Sequence, residues 1–186
     1  MRSSGDSRAR VRMRALLKLM ALAGVLVMVS VLLGYSLSVF RGAEEQEVVD
    51  LAPIGPGEMQ RLRWSGRHVL VVHRDAALIG ALEPDHRLVD PEGRRGWQPD
   101  GLEQPVRSLR PPWLVVVGES TDLGCELDLV RPDAAEGWSG GFVDRCRGGR
   151  YDAAGRVLAG QDARRNLAIP PHRFIGERLI LGRTDP

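Results

Sequence analysis

Leu62-Arg63-Trp64-Ser65-Gly66-Arg67-His68-Val69-Leu70-Val71-Val72-His73 sets the fold class. Two runs of strand-forming residues flank Ser65-Gly66-Arg67, so the stretch reads as strand, turn, strand. Downstream, Trp113-Leu114-Val115-Val116-Val117 is a continuous apolar run, short enough for a buried strand. Gly140-Gly141-Phe142-Val143 and Arg156-Val157-Leu158 are weaker strand candidates, and Arg178-Leu179-Ile180-Leu181 is a better one. Asp85 to Pro112 is polar and carries Pro91, Pro99, Pro105, Pro111 and Pro112, which predicts a loop of short extended pieces. The chain holds 22 Gly and 12 Pro and shows no long helical periodicity after Phe40. The expectation is a mainly β unit, an antiparallel β-sandwich of short strands.

Upstream, Leu19 to Phe40 is a run of 22 residues without a charge. At about 1.5 Å per residue it crosses a hydrocarbon layer of roughly 30 Å. Arg2, Arg8, Arg10, Arg12, Arg14 and Lys18 precede it, and Glu44, Glu45, Glu47 and Asp50 follow it. The positive-inside rule then places the N-terminus in the cytoplasm and the β unit outside. The alternative, a cleaved signal peptide, calls for an apolar core of about 7–15 residues and a small-x-small site, and Tyr35, Leu37, Val39 and Phe40 make a poor one. The expected organisation is a basic cytoplasmic N-terminus (1–18), a transmembrane anchor (19–40), a flexible tether (41–56) and an outer domain (57–186). Met13-Arg14-Ala15-Leu16-Leu17-Lys18 is similar to a twin-arginine export signal that has lost its first arginine.

The net charge of +2 comes from the N-terminal flank, because the chain beyond Lys18 carries 20 basic and 23 acidic residues. Such a slightly acidic domain is a poor nucleic-acid binder, so no nucleic-acid partner is expected. Cys125 and Cys146 are the only cysteines. An even count in an oxidising compartment favours one disulfide closing a loop of about 20 residues, with two buried free thiols as the alternative. His68, His73, His86 and His172 are scattered, and the odd spacing of the first two puts them on opposite faces of one strand.

Two segments carry the functional reading: Ser120-Thr121-Asp122-Leu123-Gly124-Cys125 and Asp144-Arg145-Cys146-Arg147-Gly148-Gly149-Arg150-Tyr151-Asp152. They resemble the two cluster-binding boxes of the Rieske iron–sulfur subunits of ubiquinol–cytochrome c reductase, which run Cys-Thr-His-Leu-Gly-Cys and Cys-Pro-Cys-His-Gly-Ser. Asp50-Leu51, Pro56-Gly57, Arg63 to Arg67, Gln98-Pro99, Arg107-Ser108, Asn166-Leu167 and Pro170-Pro171 extend the resemblance from the anchor to Gly182. It implies a Rieske-like β-sandwich behind a membrane anchor in the bacterial inner membrane, with the domain in the periplasm. The partners it implies are cytochrome b and cytochrome c1.

The family holds its 2Fe–2S cluster with two Cys and two His. By the resemblance those positions are Ser120, Asp122, Asp144 and Arg147 here, while Cys125 and Cys146 match the family's disulfide pair. Ser is a poor ligand for a soft cluster, and a charged guanidinium has no lone pair to give. The reading is a degenerate site with no cofactor, no catalytic residue and no metal, since Arg147 also opposes a hard cation at the oxygen ligands. Asp122 and Arg147 are expected to bridge the two loops, leaving Asp144 to find donors in Ser120 or backbone N–H groups. Gly149 stands where the family has a hydrogen-bonding Ser, Tyr151 is retained, and Gly160-Gln161-Asp162-Ala163 lacks the family's prolines.

Three functions follow in order. The first is a cluster-free accessory or structural subunit of a quinol–cytochrome c reductase, with or without a functional Rieske paralogue. The second is a free-standing envelope protein that binds or chaperones a redox partner. The third is an active electron carrier, against which the four substituted positions weigh.

Overall fold

A computed structural model describes residues 4–41, 46–95, 98–132 and 138–182. The chain divides into two compact units, Met1–Glu44 and Glu45–Pro186. The first holds helix α1 (Ser4–Arg41), within which Arg12–Gly34 is long and apolar enough to cross a membrane. The expected anchor at 19–40 lies inside this helix, which begins earlier because the basic flank continues the helical run. Glu44 and Glu45 of the acidic flank lie outside the described residues.

Among its described residues the second unit has nine short strands: β1 (Glu47–Asp50), β2 (Glu58–Trp64), β3 (Arg67–His73), β4 (Trp113–Val117), β5 (Leu127–Val130), β6 (Gly141–Asp144), β7 (Arg150–Tyr151), β8 (His172–Ile175) and β9 (Arg178–Leu181). They form three antiparallel sheets in the orders β1-β9-β8, β2-β3-β4 and β5-β6-β7. A short helix α2 (Ala76–Gly80) follows β3, capped by Asp75, whose carboxylate accepts the Leu78 N–H.

The sheet β2-β3-β4 sits in the middle, which explains why β3 and β4 are apolar on both faces. Leu70, Val72, Leu114 and Val116 pack with Leu127, Phe142 and Tyr151 of the third sheet. Val69, Val71 and Val115 pack on Val49, Leu179 and Leu181 of the first. Strands covered on both sides lose the alternation that marks a half-exposed strand. The sandwich is therefore three sheets deep.

The stretch expected to be a flexible tether is in part an ordered strand: Glu47–Asp50 pairs with β9, and Leu51 and Ile54 after it are buried. Val49 alone of its four residues points inward, so the strand is held by its neighbour's ladder more than by its own hydrophobicity. Arg156-Val157-Leu158 makes only single bridges, Tyr151 with Val157 and Leu88 with Leu158. The segment from Asp85 to Pro112 has one 3-10 turn, Asp85–Arg87, and otherwise no regular element among its described residues.

Candidate functional site at the paired loops

The loop after β4 and the loop after β6 lie side by side and are joined by a disulfide between Cys125 and Cys146, with Cα atoms 6.0 Å apart. The first loop folds on itself: the Ser120 N–H donates to the Cys125 carbonyl at 2.8 Å, and the Cys125 N–H donates back to Ser120 Oγ at 3.2 Å. In the second loop Asp144 is the organiser. Its Oδ1 accepts from the N–H groups of Cys146 (2.9 Å) and Arg147 (2.7 Å), and its Oδ2 accepts from Gly149 (3.1 Å). Asp144 is only 4% exposed, so these donors are what makes a buried carboxylate tolerable. A Cβ at position 149 would lie 2.6 Å from Asp144 Oδ2, so Gly149 is required by that arrangement.

Arg147 crosses between loops. Its guanidinium donates to Asp122 Oδ2 at 3.3 Å and pairs through a second nitrogen with Asp162. Asp162 lies on a third loop, which two further ties fasten. Gln161 exchanges both its amide groups with the backbone of Arg150 (2.7 and 2.6 Å), and Thr121 Oγ1 donates to the Arg165 carbonyl at 2.7 Å. The Tyr151 hydroxyl accepts the Thr121 N–H at 2.9 Å and meets its Oγ1 at 3.0 Å. Burial pushes the Tyr151 hydroxyl up from its ordinary pKa, with the Thr121 hydrogen bonds opposing. The three loops enclose a cavity of about 210 Å³ lined by Asp122, Asp144, Arg147, Gly149, Gln161 and Asp162.

Asp122, Asp144 and Arg147 thus line one cavity, and Ser120 sits within the first of the two loops. Asp162 and Gln161 were not legible as site residues, because nothing local in Gly160-Gln161-Asp162-Ala163 points at Arg147. A second group also escaped the sequence reading. Arg74, Arg107 and Arg156 are at most 2% exposed, and Asp152 is fully buried against Arg156, whose Nε donates at 2.8 Å. Arg107 donates to the carbonyls of Ala154, Gly155 and Leu167, and Arg74 to those of Val106, Pro111 and Ala153. Burial pushes both Arg74 and Arg107 down to about 10, with Asp152 opposing, which leaves both cationic at neutral pH. Two of the histidines have packing roles: His73 stacks on Trp113 at 4.1 Å, and His172 is buried with Nδ1 on the Pro170 carbonyl.

No family model matches the chain. Curated relatives do. The "Ubiquinol-cytochrome c reductase iron-sulfur subunit" of Allochromatium vinosum is 38% identical over 147 residues, 76% of this chain and 70% of the relative. The protein of the same description from Bradyrhizobium diazoefficiens is 34% identical over 132 residues, 71% of this chain and 68% of its own. The "Cytochrome b-c1 complex subunit Rieske, mitochondrial" of Schizosaccharomyces pombe is 35% identical, over 72% of this chain and 53% of its own. A chain of a solved "Hyperthermophilic respiratory Complex III" covers 91% of this chain and 98% of itself, at 20% identity and a TM-score of 0.45, too distant a likeness to bear on function.

Iron–sulfur subunits of quinol–cytochrome c reductases are the class these relatives define. The chain belongs to that family, the Rieske iron–sulfur subunits, as a membrane-anchored member.

The expectation of a chain without a cofactor is overturned by this membership, since the relatives are iron–sulfur subunits by name. Four side chains at four positions do not license a statement about everything a chain binds. What the structure addresses is narrower, namely whether these four fit such a centre, and they do not. Arg147 offers only donors, and they are engaged by Asp122 and Asp162. Asp144 offers a hard carboxylate oxygen where a soft cluster takes thiolate, and Ser120 Oγ is bonded within its own loop. No chemical step through a cluster at these positions follows from them.

Proposed function

We propose that the chain is an accessory or structural subunit of a bacterial quinol–cytochrome c reductase complex. In this reading α1 anchors it in the inner membrane with its N-terminus in the cytoplasm, as the basic flank before the apolar run supports. The β unit stands in the periplasm beside cytochrome b and cytochrome c1, with quinol oxidation carried by a separate Rieske paralogue.

One observation carries the reading. The family's frame is kept while Ser120, Asp122, Asp144 and Arg147, which the resemblance sets at the ligand positions, all take part in holding the loops. A hydrogen-bond acceptor for quinol is missing at Arg147, because a guanidinium can only donate. The side chains that fill the two loops stabilise shape, which is what a subunit contributing surface requires.

The test is purification of the native complex through an affinity tag on this chain in mild detergent. The expected result is co-purification with the haem spectra of cytochromes b and c1. Isolation of the chain alone, while the reductase purifies without it from the same membranes, would overturn the proposal. So would quinol-dependent cytochrome c reduction by a complex in which this chain is the sole Rieske-family subunit.

A further inference from the structure

We propose that reduction of the Cys125–Cys146 disulfide opens a site for a thiophilic divalent cation, Zn²⁺ in class, made of the two thiolates and the Asp144 carboxylate. The inference does not depend on the reading of the chain as a structural subunit.

The geometry comes first. One ligand atom from each of Cys125, Cys146 and Asp144 lies within 4.8 Å of the others, close enough for all three to close on one ion. With the disulfide in place both sulfurs are occupied, so the oxidised chain has no such site. Cys146 is exposed and Cys125 partly so, which gives a reductant access to the bond. A dithiol reductant would deliver two electrons and two protons to the S–S bond and become a disulfide itself. The two thiols formed each release a proton on binding the cation.

The loops have reason to stay in place once the bond is cut. Asp144 still caps its own turn through three N–H groups, and Arg147 still ties the second loop to Asp122 and Asp162. Thr121 still holds the first loop to Tyr151 and to the Arg165 carbonyl. The two thiols would therefore remain opposed rather than separating. Asp144 keeps capacity for a metal, since Oδ2 accepts only the Gly149 N–H and a carboxylate oxygen can accept more than one partner. Arg147, the nearby cation, is already neutralised by two carboxylates. Two thiolates and one carboxylate suit zinc, with water completing a tetrahedron.

The experiment uses the full chain in detergent, reduced with a water-soluble phosphine and titrated with Co²⁺ as a visible stand-in for zinc. The phosphine takes up the oxygen of a water as it reduces the bond, leaving two thiols and no competing sulfur ligand. Expected are thiolate-to-cobalt charge-transfer and tetrahedral d–d absorption saturating at one cobalt per chain, and their loss on adding Zn²⁺. The oxidised chain and the Cys146→Ser variant should lack these bands, and Asp144→Asn should bind cobalt more weakly. The far-ultraviolet circular dichroism of the reduced chain is followed alongside. Absence of the bands from the reduced chain overturns the proposal, whether the fold survives reduction or not. Equal cobalt absorption from Cys146→Ser, or undiminished affinity in Asp144→Asn, overturns the assigned ligand set.

Discussion

At the paired loops the ion pair of Arg147 with Asp162 faces solvent, the two side chains being 52% and 60% exposed. Between β3 and β4, and again after β7, the opposite holds: Arg74, Arg107 and Arg156 are almost wholly buried, and most of their partners are backbone carbonyls. These arginines do the work that a regular ladder would do elsewhere. They fasten the irregular segment from Glu83 to Pro112 onto the turn at Asp152 to Arg156, residues far away in sequence. Removing one would strand several buried acceptors, whereas an exposed pair can be replaced by water. The comparison teaches where the molecule can change. The exposed ion pair at the loops can be rewritten at small cost to stability, and the buried arginine network cannot.

The largest effect expected from breaking this contrast is at Asp152. Asp152→Ala leaves Arg156 buried without its carboxylate, and should destabilise the β unit by about 3–5 kcal/mol in chemical denaturation of the full chain. A loss below about 1 kcal/mol would mean the network is not what holds the segment. Next comes the disulfide, the one strong tie at the exposed end. The Cys125→Ala, Cys146→Ala double variant should lose about 2–4 kcal/mol, read as a drop in the denaturation midpoint.

A smaller, pH-dependent effect belongs to His172, buried with its pKa pushed below the ordinary value chiefly by desolvation, against the Pro170 hydrogen bond. Because the folded form prefers the neutral ring, the unfolded state binds more protons as pH falls below about 6.5. Stability from this group is complete above that pH and is lost toward the lower folded pKa. His172→Gln should flatten that part of the stability–pH curve, and an unchanged curve would remove His172 as its source. The smallest effect is at Arg147, where Arg147→Ala should cost only about 0–1 kcal/mol, as exposed ion pairs do. If instead it cost as much as losing the disulfide, the two ends of the molecule would not differ as described.

What the sequence disclosed follows the same division. The central strands were legible because burial on both faces leaves continuous apolar runs at Val69 to Val72 and Trp113 to Val117. Ser120, Asp122, Asp144 and Arg147 were picked out only through the resemblance of the two boxes to those of the family. β1 and β8 were not legible, because each is four residues long and mixes polar with apolar side chains. Asp162 was hidden because its pairing with Arg147 exists only in three dimensions. The buried arginines were hidden more deeply, since a polar, proline-rich stretch reads as solvent-exposed loop, and only the fold shows its cations turned inward. The inference from four lost ligands to a chain without any cofactor failed for a related reason: local chemistry was extended to the whole molecule.

The pairing of β1 with β9 has a consequence for how the protein is made. Glu47 lies opposite Leu181 and Asp50 opposite Arg178, so among the described residues the first strand of the β unit finds its ladder partner in the last. Closing so long a loop is slow, because its entropy must be lost before the contact forms. A chain emerging from the ribosome N-terminus first would hold β1 without a partner until β9 had been synthesised. The first sheet is therefore assembled last, and a chain stalled before Arg178 would present β1 as an open edge, ready to pair with whatever strand reaches it first.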